Sequence, residues 1–283
     1  MITNDDGIES PGIHALAATC VSLGHETIVV APAADLSGSS AAIGRLSFDE
    51  RLQLSRARLP APAEAIEAWS VDGPPGLAAL IACQGGIGAR PDLIVSGINA
   101  GPNTGHSILH SGTVGAALTA ASFGVSALAV SLDVADPMPW PAACAFVGTG
   151  LDLLADAPEQ TVLNLNVPAL DPEHVKGVRW ATLDRFGSFR VAVAEREDTW
   201  VQMEYRSTGA DLDPNSDTAL LAGGYVTVTA IEGIGEVSPD RIASQPQSEL
   251  PVRRLTEVPR GDPVERGELE RQADDAPARP REQ

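Results

Sequence analysis

The first two-thirds of the chain alternate short apolar runs, rich in β-branched residues, with alanine-rich stretches that have helical spacing. This pattern predicts strands at residues 26–31, 92–96, 126–132 and 161–167, and helices at residues 11–23, 112–124 and 141–155. Strands that are apolar on both faces and alternate with helices are typical of a parallel sheet covered on both sides. We therefore expect an α/β fold.

The pattern changes between about residue 176 and residue 231. Four segments there are typical of antiparallel strands, some of them in hairpins that project from the main body: VRWATL, FRVAVAE, TWVQMEYR and YVTVTAI. Residues 243–283 are rich in Pro, Glu and Arg, with little to bury, which predicts a disordered charged tail. We expect one domain over residues 1–242, with the projecting region at 175–222.

The formal net charge of the chain is −19. This charge argues against binding to nucleic acid or to anionic membranes, and it would repel a phosphate substrate unless a local cation offset it. The three cysteines lack metal-ligand spacing, so we expect buried thiols in a reducing compartment. Neither a leader-like segment nor an apolar run of membrane-spanning length is present, and we expect a cytoplasmic protein.

Three polar, glycine-rich stretches come directly after strands, the first of them after an abbreviated strand at the start of the chain. They are NDDG at residues 4–7, APAADLSGSS at 31–40 and SGINAGPNTG at 96–105. Ligands of parallel sheets bind at the carboxyl ends of the strands, so these stretches should meet at one site. Asp5, Asp6, Ser37 and Asn99 would there supply two anionic and two neutral oxygens. Such a set suits a hard cation such as Mg²⁺ or Mn²⁺.

Each of these stretches also has a simpler interpretation. Asp-Gly is a common turn signal, and NDDG could be a turn without any ion. A fourth stretch, HSGTVGAA at residues 110–117, opens a predicted helix whose free N–H groups and dipole could bind phosphate. Taken alone, this stretch is better explained as an ordinary helix cap, and it gains weight as a phosphate site because it directly follows the proposed metal loop. Three oxygen-rich loops after successive strands favour the metal site.

These motifs resemble those of the SurE survival-protein family of metal-dependent nucleotidases. The matching elements are TNDDGIESPGI, VVAP followed by SG at residues 37–38, PDLIVSGINAGPNTG, HSGTVGAA, AVSL and LNLNVP. They follow the family's order from residue 2 to residue 168, and GGYVTVT near residue 223 resembles its last strand. Three features depart from the family pattern. DGPPGLAAL at residues 72–80 replaces the family's usual turn. His110 occupies a position where a tyrosine is common, and the first strand is short.

The resemblance implies a Rossmann-like three-layer α/β/α core and 5′/3′-nucleotidase activity, which releases nucleoside and phosphate from nucleoside monophosphates. It implies one divalent ion per subunit, bound by Asp5 and Asp6 of NDDG, Ser37 of LSG and Asn99 of SGIN. The projecting hairpin and C-terminal elements would build a homodimer or homotetramer.

For the mechanism we expect the ion to activate a water near neutral pH, with Asp5 and Asp6 as the catalytic carboxylates that hold it. We assign phosphate binding to Asn103, Ser111, Gly112 and Thr113. The group that moves protons stays open: His106 and His110 lie close by in sequence, and an aspartyl-phosphate route through Asp5 or Asp6 is conceivable.

Two other functions compete with this interpretation. The first is a non-catalytic, regulatory nucleotide-binding protein on the same scaffold, which the short first strand and the altered DGPPG turn favour. The second is a dinucleotide oxidoreductase. It is less favoured because no GxGxxG motif opens the first helix and an Asp pair there would repel a pyrophosphate.

Overall fold

A nine-stranded sheet forms the centre of the main unit, Met1–Gly235, in the computed structural model of the chain. The structure describes residues 1–46, 51–185, 189–207 and 211–235, so the predicted tail at 243–283 lies outside the described residues. The strand order is β3-β4-β2-β1-β5-β6-β7-β11-β8. The strands are β1 (Ile2–Thr3), β2 (Ile28–Pro32), β3 (Leu54–Ala57), β4 (Glu67–Val71), β5 (Leu93–Ala100), β6 (Ser126–Leu132), β7 (Val162–Val167), β8 (Val178–Trp180) and β11 (Val226–Ile231).

Within the described residues, five α-helices accompany the sheet: α1 (Pro11–Ser22), α2 (Pro75–Cys83), α3 (Gly112–Ser122), α4 (Trp140–Ala155) and α5 (Asp217–Ala222). Helix α1 packs on α4 over one face of the sheet, and α2 packs on α3 over the other. Leu16 of α1 and Val147 of α4 lie in one core cluster, whereas Val114 of α3 lies in another. These layers confirm the predicted α/β/α architecture. None of the helices in the described part of the chain is long and apolar enough to cross a membrane.

The sheet is mostly parallel, as predicted. Strands β4, β2, β1, β5, β6 and β7 all run in the same direction, with Ile2 opposite both Val29 and Val95. Strand β3 is antiparallel to β4, and β11 is antiparallel to β7. Strands β9 (Phe189–Arg196) and β10 (Val201–Ser207) form a separate antiparallel pair, which confirms a hairpin in the region predicted to have one.

Two local predictions were wrong. The VRWATL segment was expected to pair antiparallel, but β8 runs parallel to β11, with Val178 opposite Val226. The altered turn was placed at DGPPG, residues 72–76, but α2 begins at Pro75 within this stretch. Proline suits the first turn of a helix, where its missing N–H is not needed, and residues 75–79 are all buried between the sheet and α3.

Candidate metal centre and phosphate site

The three polar loops meet where the order of the strands reverses. The chain passes from β1 outward through β2 to β4, and then returns to the other side of β1 as β5. Such a switch point leaves a crevice at the carboxyl ends of the two central strands, which is where parallel sheets bind ligands. Asp5 and Asp6 follow β1, and Asn99 lies near the end of β5. The fold therefore brings these side chains to the same crevice.

Asp5 is buried and is held by the first turn of α3. The N–H of Gly112 donates to Asp5 Oδ2 at 3.0 Å, and the Thr113 hydroxyl donates to Asp5 Oδ1. Thr113 Oγ1 also lies 3.3 Å from Asn99 Oδ1. Because these contacts come from another element, the Asp5 carboxylate has a fixed orientation before any ligand arrives.

Gly112 is required by this close packing. A Cβ atom at this position would lie 2.7 Å from Asp5 Cβ, 2.8 Å from Asp5 Oδ2 and 2.8 Å from Ser39 Oγ. Any larger residue would therefore push the carboxylate or the serine loop away. The sequence motif HSGT thus places a glycine where α3 touches the acidic loop.

Asp6 lies beside Asp5 but has a different environment. Burial, and then the charges of Asp5 and Asp35, raise the pKa of Asp6 to about 6, although a backbone N–H bond from Ala100 opposes the shift. Asp6 Oδ2 is buried and has no hydrogen-bond partner in the structure. A carboxylate with an unsatisfied buried oxygen is costly unless it binds a cation or a proton.

Ser37 lies in the loop after β2, whose backbone contacts the acidic turn: Leu36 N–H donates to the Asp5 carbonyl at 2.8 Å. The Ser37 hydroxyl itself donates to Asp35 Oδ1 at 2.7 Å, and the Ser37 N–H donates to the same oxygen at 2.8 Å. These bonds hold the pKa of Asp35 below its ordinary value. The hydroxyl oxygen keeps its lone pairs, so Ser37 can still act as a neutral ligand.

Asn103 is anchored by polar side chains of the sheet. Asn164 and Asn166 of β7 donate to its carbonyl at 2.8 and 2.9 Å, and its N–H donates to Asn166 Oδ1 at 2.8 Å. The Asn103 side chain donates to Ser131 Oγ at 2.9 Å. Asn164 and Asn166 are fully buried, and sequence reasoning did not include them in the site. The sequence signal that could have indicated them is the presence of two asparagines at alternate positions of an otherwise apolar strand, LNLNV.

Ser111 caps α3, because its Oγ accepts the N–H of Val114 at 3.1 Å. Gly112 and Thr113 donate hydrogen bonds to Asp5. Ser111, Gly112 and Thr113 therefore each make a hydrogen bond within the protein. Their assignment to phosphate binding, and that of Asn103, stays a prediction. His106 and His110 are exposed in the 3₁₀ segment Gly105–His110 that precedes the helix, and a proton-transfer role for either also stays a prediction.

The donor set fits a hard divalent ion better than a soft one. The described residues contain no group of three or more His, Cys, Asp or Glu side chains that could hold a metal. The candidate site has instead two adjacent carboxylates, Asp5 and Asp6, of which Asp6 has a buried oxygen without a hydrogen-bond partner. Neutral amide and hydroxyl oxygens lie nearby. Oxygen ligands of mixed charge suit Mg²⁺ or Mn²⁺, which keep part of their hydration shell. The ligand roles of Asp5, Asp6, Ser37 and Asn99 stay predictions.

Comparisons with known proteins show the family of the chain. Residues 1–188 match the family described as survival protein SurE. The chain belongs to the SurE family. Among its relatives, the 5′-nucleotidase SurE of Symbiobacterium thermophilum is 38% identical over 247 residues, covering 82% of this chain and 91% of that relative. The 5′-nucleotidase SurE of Anaeromyxobacter sp. is 36% identical over 241 residues, covering 82% and 88%.

The crystal structure of the SurE protein from Aquifex aeolicus has the same fold. It is 27% identical, with a TM-score of 0.69, and the match covers 86% of this chain and 96% of that one. The family resemblance found in the motifs and the expected fold class are thus both confirmed. Three of the stretches that carry the resemblance, NDDG, SGIN and HSGT, contribute Asp5, Asn99 and Thr113, which lie next to one another in the fold.

Proposed function

We propose that this chain is a metal-dependent nucleotidase that hydrolyses 5′- and 3′-nucleoside monophosphates to nucleoside and phosphate. Its relatives named 5′-nucleotidase SurE support the class of enzyme, a phosphoric monoester hydrolase. The observation that carries the metal dependence is the Asp5–Asp6 pair at the switch point of the sheet. Asp5 is oriented by α3, and Asp6 retains an unsatisfied buried oxygen.

Asp5, Asp6, Ser37 and Asn99 would hold one divalent ion, Mg²⁺ or Mn²⁺, in each subunit. When bound, such an ion polarises a phosphoryl oxygen and lowers the pKa of a coordinated water. It also offsets the repulsion between the acidic chain and an anionic substrate, because it neutralises the two carboxylates locally. The residues of the protein then have to orient the substrate and keep the carboxylates in place.

Asn103, Ser111, Gly112 and Thr113 would bind the phosphate group next to the ion. The Thr113 hydroxyl has a single proton, which it donates to Asp5 in the structure. A bound phosphate would therefore compete with Asp5 for this donor, and Asn103 and the start of α3 would have to supply the other contacts. Either His106 or His110 could protonate the departing nucleoside oxygen, since both lie in the segment that leads into the start of α3.

We further propose that the active form is a homodimer or homotetramer in the cytoplasm. The region 175–222, which contains the β9–β10 hairpin, would form the contact between subunits. One face of the hairpin exposes the apolar side chains of Val193, Val201 and Met203. Val193 and Met203 are directly opposite each other in the ladder, so they form one continuous patch.

Phosphate release from a panel of 5′- and 3′-nucleoside monophosphates tests the enzymatic proposal. Each reaction is run with Mg²⁺, with Mn²⁺ or with EDTA, on the wild type and on Asp6→Asn. We expect release that requires the metal and that falls by at least about 10²-fold in the variant, because the site loses one of its two charges. The matched control is Asp92→Asn, the same substitution at the opposite end of β5.

Two outcomes would contradict the proposal. Full activity in EDTA would remove the metal from the mechanism. No release from any nucleotide by the folded wild type would favour the non-catalytic, nucleotide-binding alternative, which binding of a nucleoside monophosphate in the same crevice would then support.

A further inference from the structure

Asp217 is a fully buried carboxylate outside the crevice described above. Its Oδ2 accepts the N–H of Gly105 at 2.8 Å, and its Oδ1 accepts the N–H groups of Asp184 at 3.0 Å and Thr218 at 2.8 Å. A buried carboxylate is stable when several backbone N–H groups satisfy it. One side chain thus joins the start of the 3₁₀ segment Gly105–His110, the chain that follows β8 and the first turn of α5.

A second set of contacts makes this junction tight. The N–H of His106 donates to the Asp184 carbonyl at 3.0 Å. Gly105 has a positive φ of 60°, and a Cβ atom there would lie only 2.8 Å from the same carbonyl oxygen. The backbone of the 3₁₀ segment therefore lies directly against the residues that Asp217 holds.

The same segment leads to the candidate metal centre. It ends at His110, and the next residues are the Ser111 cap and the Gly112 N–H that donates to Asp5 Oδ2. Between its two ends, Ser40 Oγ donates to the Leu109 carbonyl at 2.6 Å. Residues 105–113 are thus attached to Asp217 at one end and to Asp5 at the other.

We propose that Asp217 is a positioning residue of the nucleotidase site. It fixes the 3₁₀ segment and, through that segment, the start of α3 that orients Asp5. This inference rests on the proposed function for its effect on catalysis, although its effect on the segment itself does not depend on any activity. The hydrogen bond between Asp217 and Gly105, which are 112 positions apart in sequence, would in this way control the geometry of the Asp5 carboxylate, which Asp217 does not contact.

The test is Asp217→Asn, which keeps the shape of the side chain. An amide has one acceptor oxygen, and its NH₂ group would face at least one of the N–H donors that the carboxylate now accepts. We expect kcat for a nucleoside monophosphate to fall between tenfold and about 10²-fold, with a smaller change in KM, because the reacting groups are misplaced. We also expect faster hydrogen exchange of the amides in residues 105–113.

Leu151→Ala in α4 is the control for a purely structural effect. It removes a buried apolar side chain on the other face of the sheet and should lower Tm while kcat, KM and exchange in residues 105–113 stay at their wild-type values. An Asp217→Asn variant that lowers Tm but leaves kcat, KM and exchange in residues 105–113 unchanged would overturn the proposal.

If Asp217→Asn does not fold, Gly105→Ala perturbs the same junction from the opposite side and is judged by the same measurements. A wild type without phosphatase activity would refute the proposed function, whereas the exchange measurement would still decide the role of Asp217.

Discussion

Polar side chains are buried at the carboxyl edge of the large sheet, whereas apolar side chains are exposed on the β9–β10 hairpin. Asp5 is 3% exposed and Asn164 and Asn166 are fully buried, but Val201 is 55% and Met203 51% exposed. Both arrangements cost free energy in an isolated chain, because burial of polar groups has to be compensated and exposed apolar patches are poorly solvated. At the sheet edge, Asp5 and Asn166 are hydrogen-bonded within the chain, whereas Asp6 Oδ2 has no partner, and on the hairpin the apolar side chains stay exposed.

The two regions differ in how they are held. The groups at the carboxyl edge are fixed by hydrogen bonds from separate elements, such as α3 to Asp5 and β7 to Asn103. Within the described residues, β9 and β10 pair only with each other. A two-stranded hairpin is at best marginally stable in water unless another surface packs on it. The candidate site is thus organised by contacts within the chain, whereas the hairpin pairs with no third strand of the described residues.

Gly112→Ala tests whether this organisation matters, and its expected effect is the largest among the variants that follow. The new methyl group would lie within 2.8 Å of Asp5 Oδ2 and Ser39 Oγ, so the carboxylate has to move. A displacement of this kind can reduce kcat/KM by about 10²-fold. Phosphate release from a nucleoside monophosphate at saturating metal measures the loss.

Gly148→Ala is the matched control for this substitution. It also adds one methyl group to a helix, but its nearest neighbours are the methyl groups of Leu23 at 3.6 and 3.7 Å, an ordinary contact. We expect unchanged activity and a small gain in stability, since alanine favours helices over glycine. Equal activity in both variants would show that the orientation of Asp5 by α3 is not needed.

Met203→Glu tests the hairpin. A charge in the middle of the exposed apolar face should prevent a second subunit from packing there, because burial of an unpaired carboxylate is costly. We expect the mass of the protein in solution, measured by light scattering after size exclusion, to decrease from that of a dimer or tetramer to that of a monomer.

The control is Gln202→Glu, which places the same charge on the adjacent residue, whose side chain points to the opposite face of the strand. Its mass should equal that of the wild type. A wild type that is already monomeric, or a Met203→Glu variant that keeps its full mass, would remove the hairpin face from the subunit contact.

Local sequence patterns were sufficient for much of the fold and for the acidic part of the site. Helices α1 and α3 and the strands that precede the three polar loops were predicted because periodicity and caps are local signals. The meeting of Asp5 with Asn99 followed from the rule that parallel strands end at one edge of the sheet. Helix α2 was missed because Gly-Pro-Pro also signals a turn, and only its burial against α3 decides between the two.

The remaining features depend on contacts between distant parts of the chain. Asn164 donates to the carbonyl of Asn103, 61 residues away, and Asp217 accepts from Gly105, 112 residues away. No window of sequence contains both partners, so periodicity cannot reveal such a pair. The predicted direction of β8 was wrong for the same reason. Its direction is set by pairing with β11 and not by the residues of β8.

The smallest effect that we predict concerns the charge of Asp6 in metal-free protein. Its pKa is raised to about 6 by burial and by the neighbouring carboxylates, so the native state binds the proton more tightly than the unfolded chain does. The ionised group therefore destabilises the native state, and this destabilisation develops as the pH rises from about 4 through about 6. Asp6→Asn lacks the charge at every pH.

In EDTA we accordingly expect Asp6→Asn to have a Tm about 2–4 °C above that of the wild type at a pH of about 7.5, and an equal Tm at about pH 4. Added Mn²⁺ should raise the Tm of the wild type by mass action and leave that of the variant nearly unchanged. A variant that is no more stable at high pH would mean that Asp6 is satisfied without an ion. In that case only the exposed apolar face of the hairpin, and not the buried charge at the sheet edge, would cost free energy in the isolated chain.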